Sequence, residues 1–76
     1  MDDPNKLKTQ SLYESAFLLC QGFKLSGKEK AGNKVTLFFE GQNVHAEAMK
    51  FYNGAKVAAK AYSDAYRTLK DYVFER

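Results

Sequence analysis

Residues 22–40 read Gly-Phe-Lys-Leu-Ser-Gly-Lys-Glu-Lys-Ala-Gly-Asn-Lys-Val-Thr-Leu-Phe-Phe-Glu, and this stretch decides the fold. Two runs of alternating apolar and polar residues flank Gly32-Asn33, a dipeptide that accepts the positive φ of a tight two-residue turn. The pattern predicts a β-hairpin. In its second strand Val35, Leu37 and Phe39 share one face, while Thr36, Phe38 and Glu40 share the other. In its first, Phe23 and Leu25 oppose Lys24 and Ser26, and Gly27 breaks the alternation as a bulge or close backbone approach does. Phe38 stands out, an aromatic on a face that otherwise carries Thr and Glu.

Working outward toward the N-terminus, Gly22 stops a helix, because glycine enters the left-handed cap conformation without strain. That helix opens on Ser11-Leu12-Tyr13-Glu14, a capping box in which the Ser11 hydroxyl and the Glu14 carboxylate each satisfy the other's backbone amide. Leu12, Ala16, Leu19 and Cys20 follow at helical spacing with Tyr13 and Phe17 beside them, and Ser15 reads as a surface position. Residues 1–10 are polar, hold the only Pro and show no period, so they read as a flexible arm. Beyond the hairpin, Asn43 is a good N-cap for a second helix with Val44, Ala48 and Phe51 on its apolar side, ended by Asn53-Gly54. A last helix over about residues 58–74 sets Tyr62, Ala65, Tyr66, Leu69, Tyr72 and Val73 on one face. Lys60, Asp64, Arg67 and Asp71 recur on the other, spaced for ion pairs.

An isolated hairpin is marginal in water, so the helices must cover one of its faces. The expected fold class is α+β: a helix, a β-hairpin and two more helices, with the helices on the Val35/Leu37/Phe39 side of a short antiparallel sheet. The arm over residues 1–10 would precede a single domain over residues 11–76.

Seventy-six residues make one small domain with a thin core, to which six Phe and five Tyr bring large apolar areas. One cysteine excludes an intrachain disulfide, and Cys20 beside Phe17, Leu18 and Leu19 reads as a reduced, buried thiol. The opening residues have no basic n-region followed by an apolar core, and the longest unbroken apolar run, residues 16–20, is far too short for a bilayer. A cytoplasmic chain with no membrane partner is expected. The formal net charge of +3 is concentrated at residues 22–34, where Lys24, Lys28, Lys30 and Lys34 stand against only Glu29.

The run from Leu12 to Leu19 (Leu-Tyr-Glu-Ser-Ala-Phe-Leu-Leu), then Gly22-Phe23-Lys24-Leu25, Gly32-Asn33 and Leu37-Phe38-Phe39-Glu40 carry a resemblance that continues through Tyr52-Asn53-Gly54 and residues 65–71 (Ala-Tyr-Arg-Thr-Leu-Lys-Asp). Over about residues 9–74 the chain resembles a family of small bacterial and phage-associated domains of unknown function. The resemblance implies a compact α+β module borne on mobile elements, and no particular activity. Phe23 stands where that family is associated with a histidine, so no histidine site is carried over.

The chemistry of the side chains points away from an enzyme. His45 is the lone histidine, without a second His or Cys at ligand spacing, and Glu47 two residues on points elsewhere around a helix. Ser11 is a cap, Cys20 a core residue, and no paired carboxylates or Gly-rich phosphate loop appear, so no metal, cofactor or small-molecule substrate is expected. Two readings remain. In the first the domain is a protein-interaction or self-association module, whose surface is the hairpin face bearing Lys24, Thr36 and Phe38. In the second it binds nucleic acid, with Lys24, Lys28, Lys30 and Lys34 on phosphates, Phe38 stacked on a base, and Arg67 and Lys70 extending the patch.

Overall fold

A computed structural model describes residues 3–74, in the order β1 (Lys6–Thr9), α1 (Leu12–Cys20), β2 (Lys24–Ala31), β3 (Lys34–Glu40), α2 (Val44–Tyr52) and α3 (Ala59–Val73). Residues 1–2 of the expected arm and 75–76 of the expected domain lie outside the described residues. The fold class is α+β, as the periodicity predicts. The sheet, however, has three strands rather than two, in the order β1-β3-β2, with both pairings antiparallel. The third comes from the stretch expected to be a flexible arm. Lys6–Thr9 pairs with β3 in the register Lys6↔Glu40, Leu7↔Phe39, Lys8↔Phe38 and Thr9↔Leu37. Leu7 and Thr9 are buried and Lys6 and Lys8 exposed, the alternation of a strand with one covered face.

The hairpin forms where expected. Ala31 pairs with Lys34 across Gly32-Asn33, and positive φ is confined to Gly32 at 62°, the II′ pattern whose twist suits the flanking strands. The break at Gly27 is a bulge. Leu25 opposes Phe39 and Gly27 opposes Phe38, which leaves Ser26 as the extra residue, its hydroxyl donating to the Phe38 carbonyl at 3.1 Å. The bulge inverts the alternation beyond it. Lys28 opposes Leu37 and so belongs to the covered face, where its ammonium donates to the Tyr72 carbonyl and lies 4.3 Å from the Tyr72 ring centre. A cation at the last turn of α3 also complements the negative end of that helix.

The apolar face of the sheet supplies Leu7, Leu37 and Phe39 to a core completed by Ala16, Phe17 and Leu18 of α1, Val44 and Ala48 of α2, and Leu69 of α3. Of the helices, α1 is the most deeply set, with five consecutive buried residues from Glu14 to Leu18; α3 packs along it, and α2 packs on α1 and β1. Ser15, expected on the surface, is fully buried; its hydroxyl donates to the Ser11 carbonyl at 2.8 Å, so the burial leaves nothing unsatisfied. The Phe17 ring meets Phe51 at 5.5 Å and ties α1 to α2.

Both short helices end in the same device. The amides of Gly22 and Phe23 donate to the carbonyls of Leu19 and Leu18, and those of Gly54 and Ala55 to Phe51 and Lys50. Each is a Schellman closure on a glycine with positive φ, 90° at Gly22 and 81° at Gly54.

The helix starts differ from expectation. Ser11 Oγ accepts from the Glu14 amide at 3.1 Å, but the Ser11 amide donates to Thr9 Oγ1 at the end of β1, so half of the capping box is replaced by a strand residue. At α2, Asn43 offers no side-chain cap; its backbone is left-handed at φ 58°. Its own amide donates to Asn5 Oδ1 at 2.9 Å, and the Gly41 amide donates to the Asn5 carbonyl. The segment before β1 thus closes the entrance to α2.

Gly41 has a steric reason to be glycine. A Cβ built there would stand 2.2 Å from Cδ1 of the Phe23 ring. Gly41→Ala should therefore destabilise the domain by about 1–3 kcal/mol, read as a lower midpoint of urea unfolding at unchanged slope. A midpoint equal to that of the parent chain would show that the ring moves aside without loss.

Candidate functional site

The helices occupy one face of the sheet and leave the other open, and every side chain of the open face is set by register. Lys6 and Lys24 flank Glu40 from the two edge strands. Next to that row, Lys8 lies opposite Phe38 on the β1 side, with Ser26 and Gly27 of the bulge on the β2 side. Thr36 follows, opposite Glu29 and within 3.5 Å of Gln10 Nε2. Residues opposite one another in an antiparallel pair share a face, so this grid follows from the pairing itself.

Phe38 is half-buried at the centre of the grid. The bulge matters here. Gly27 puts no side chain beside the ring, and a Cβ added at Gly27 would meet no atom within 4 Å. The ring thus has a lysine on one flank and open space on the other. A depression of about 770 Å³ lies over it, lined by Lys6, Lys8, Ser26, Phe38, Glu40 and His45, with Asp3 also contributing. Its walls are mixed in polarity and it is open to solvent.

The residues nominated from sequence fall into two sets with different fates. Lys24, Thr36 and Phe38 do share the open face, as the interaction reading requires. The basic residues of the nucleic-acid reading do not form one surface. Lys24 and Lys34 belong to the open face, Lys28 is turned to the covered side against Tyr72, and Lys30 opposes Val35 in the covered-face register. Arg67 and Lys70 line a separate shallow depression of about 250 Å³ with Ser63, Tyr66 and Asp71. The bulge at Ser26 is the physical reason for the division, since it exchanges the faces of all later residues in β2.

Lys6, Lys8 and His45 are among the members of the surface absent from the nominated set. Lys6 and Lys8 arrive on β1, and the signal for them was present: Lys6-Leu7-Lys8-Thr9 alternates over four residues, too briefly to stand against the lysines and the neighbouring Pro4. His45, exposed in the first turn of α2, reaches the depression because α2 begins immediately beyond the end of β3.

Each candidate nucleophile is accounted for by structure. Ser11 caps α1, Ser15 bonds within α1, Ser26 holds the bulge, and burial pushes the half-buried Cys20 thiol above its ordinary range, away from the reactive thiolate. Of the carboxylates, Glu47 pairs with Lys50 at 2.8 Å, and Glu14, buried on α1, lies against the Tyr52 phenol, whose pKa is raised by burial and then by that carboxylate. Among the described residues no three of His, Cys, Asp and Glu stand close enough together to hold a metal ion. No helix among the described residues is long and apolar enough to cross a membrane.

In a comparison with known families, residues 4–75 match the model of a domain of unknown function (DUF5659). The chain belongs to that family. No curated protein and no solved structure matches it.

Proposed function

We propose that this member of the family is a non-enzymatic interaction module, which engages a protein partner through the open face of its sheet. The observation that carries the reading is the setting of Phe38, an aromatic held half-exposed in the middle of a polar face with an unfilled space beside it. Central aromatic anchors with a polar rim dominate the energetics of protein interfaces.

A heterologous partner fits better than self-association. An edge-to-edge dimer would have to form on β1, which is four residues long, or on β2. Along its length β2 carries Lys24, Lys28 and Lys30 and is bent by the Ser26 bulge. Lysines and bulges are the means by which exposed edges are kept from pairing. Sedimentation at two concentrations should therefore give a monomer at both.

The resemblance to bacterial and phage-associated domains makes proteins of that setting, in the cytoplasm, the place to look for the partner. The test is recovery of the tagged chain from its native cell, alongside Phe38→Ala, with identification of whatever protein or nucleic acid is retained. The reading expects a defined protein held by the parent chain and released by the variant. Equal retention by both chains, or nucleic acid as the sole retained species, overturns it.

A further inference from the structure

We infer that the element of the partner seated on this face is an acidic segment bearing an apolar side chain; the inference rests on the function proposed above. Lys6, Lys8 and Lys24 converge on the open face, and within the described residues none of the three forms an ion pair, whereas Lys50 and Lys60 are paired with Glu47 and Asp64. Glu40 stands between Lys6 and Lys24 in register without closing on either. Around Phe38 the face therefore offers three cations to incoming carboxylates, with Lys34 on the same face at the hairpin turn. The apolar element of the partner has one place to go, the space over Phe38 that Gly27 leaves open.

The same details disfavour a nucleic-acid strand. Glu40 lies on the same strand face two residues from Phe38, where a phosphate following a stacked base would meet it. Surfaces that hold single strands stack successive bases on several aromatics, and Phe38 is the one aromatic among the register positions of this face. The hairpin lysine that would have added most to such a track, Lys28, is turned to the other side. An acidic polypeptide needs only local charge complementarity, which steers encounter and selects the partner.

Fluorescence anisotropy with four labelled probes tests this: a Glu- and Asp-rich peptide with one central Leu, its Gln/Asn counterpart, its Lys counterpart, and oligothymidine. The acidic peptide should bind best, with the Gln/Asn version weaker by roughly tenfold at low salt and the gap narrowing as salt rises. Lys6→Glu, Lys8→Glu and Lys24→Glu together should transfer the preference to the Lys peptide. Gly27→Leu, which fills the open space without removing any contact of the fold, should weaken the acidic peptide while the circular dichroism spectrum is unchanged. Equal binding of the acidic and Gln/Asn peptides overturns the inference, as does an unaltered preference in the triple charge reversal. Binding of oligothymidine in preference to every peptide also overturns it. In each of those cases a Phe38-dependent protein capture would still uphold the face as the binding surface, so the two failures are distinguishable.

Discussion

Alanine in place of Phe39 should cost about 3–5 kcal/mol of folding stability, and alanine in place of its neighbour Phe38 only about 1 kcal/mol. Phe39 is 1% exposed, sits on the central strand and packs among Leu7, Leu37 and the helices, so its removal leaves a cavity that every layer of the core borders. A chain of 76 residues has roughly 4–11 kcal/mol in total, which makes the first change close to unfolding and the second tolerable. Urea unfolding of both variants checks the pair. Comparable losses would mean that Phe38 belongs to the core and that the open face is not free to bind anything.

Deleting residues 2–9 should abolish cooperative unfolding altogether. The deletion removes Leu7, whose loss alone is worth about 2–5 kcal/mol in a buried site, and strips one side of β3 of its ladder. It also takes away Asn5, which holds the entrance to α2, and Thr9, which accepts from the Ser11 amide at the start of α1. Leu7→Ala in the full-length chain separates the side-chain effect from the backbone effect. A flexible arm would allow the deletion with an unchanged midpoint. Thermal melts followed by circular dichroism decide between a sigmoidal transition and a featureless slope.

Much of this architecture is legible in the sequence where chemistry is local. Gly22 and Gly54 act through their own φ, Ser11 through an amide three residues away, and Gly32-Asn33 through a two-residue turn. Leu37 and Phe39 follow from period-two alternation in a strand long enough to show it. What escapes depends on pairing at a distance. Lys6–Thr9 is a strand because β3 is there to receive it, not because Lys-Leu-Lys-Thr favours extended backbone. Asn43 begins α2 without a side-chain cap, in a left-handed backbone whose amide donates to Asn5, thirty-eight residues earlier.

The site shows the same division. Phe38 is recognisable as an outlier within its own strand, and with Lys24 and Thr36 it does lie on the open face. The basic hairpin looked continuous because alternation cannot reveal which of Ser26 and Gly27 is the extra residue, and that choice alone sends Lys28 to the other side. Lys6 and Lys8 depend on a strand whose partner lies thirty residues away. The charge of the surface therefore comes largely from a segment outside the hairpin.

The central claim is that the open face, centred on Phe38, is where this domain meets its partner. The most direct measurement is the map of backbone amide shifts in the isotopically labelled chain as the captured partner is added. The largest changes are expected at Lys8, Ser26, Gly27 and Phe38, with Lys6, Lys24 and His45 next. Changes confined to the helical layer, around the exposed Tyr13, Met49 and Tyr52, with the open face silent, would contradict the claim.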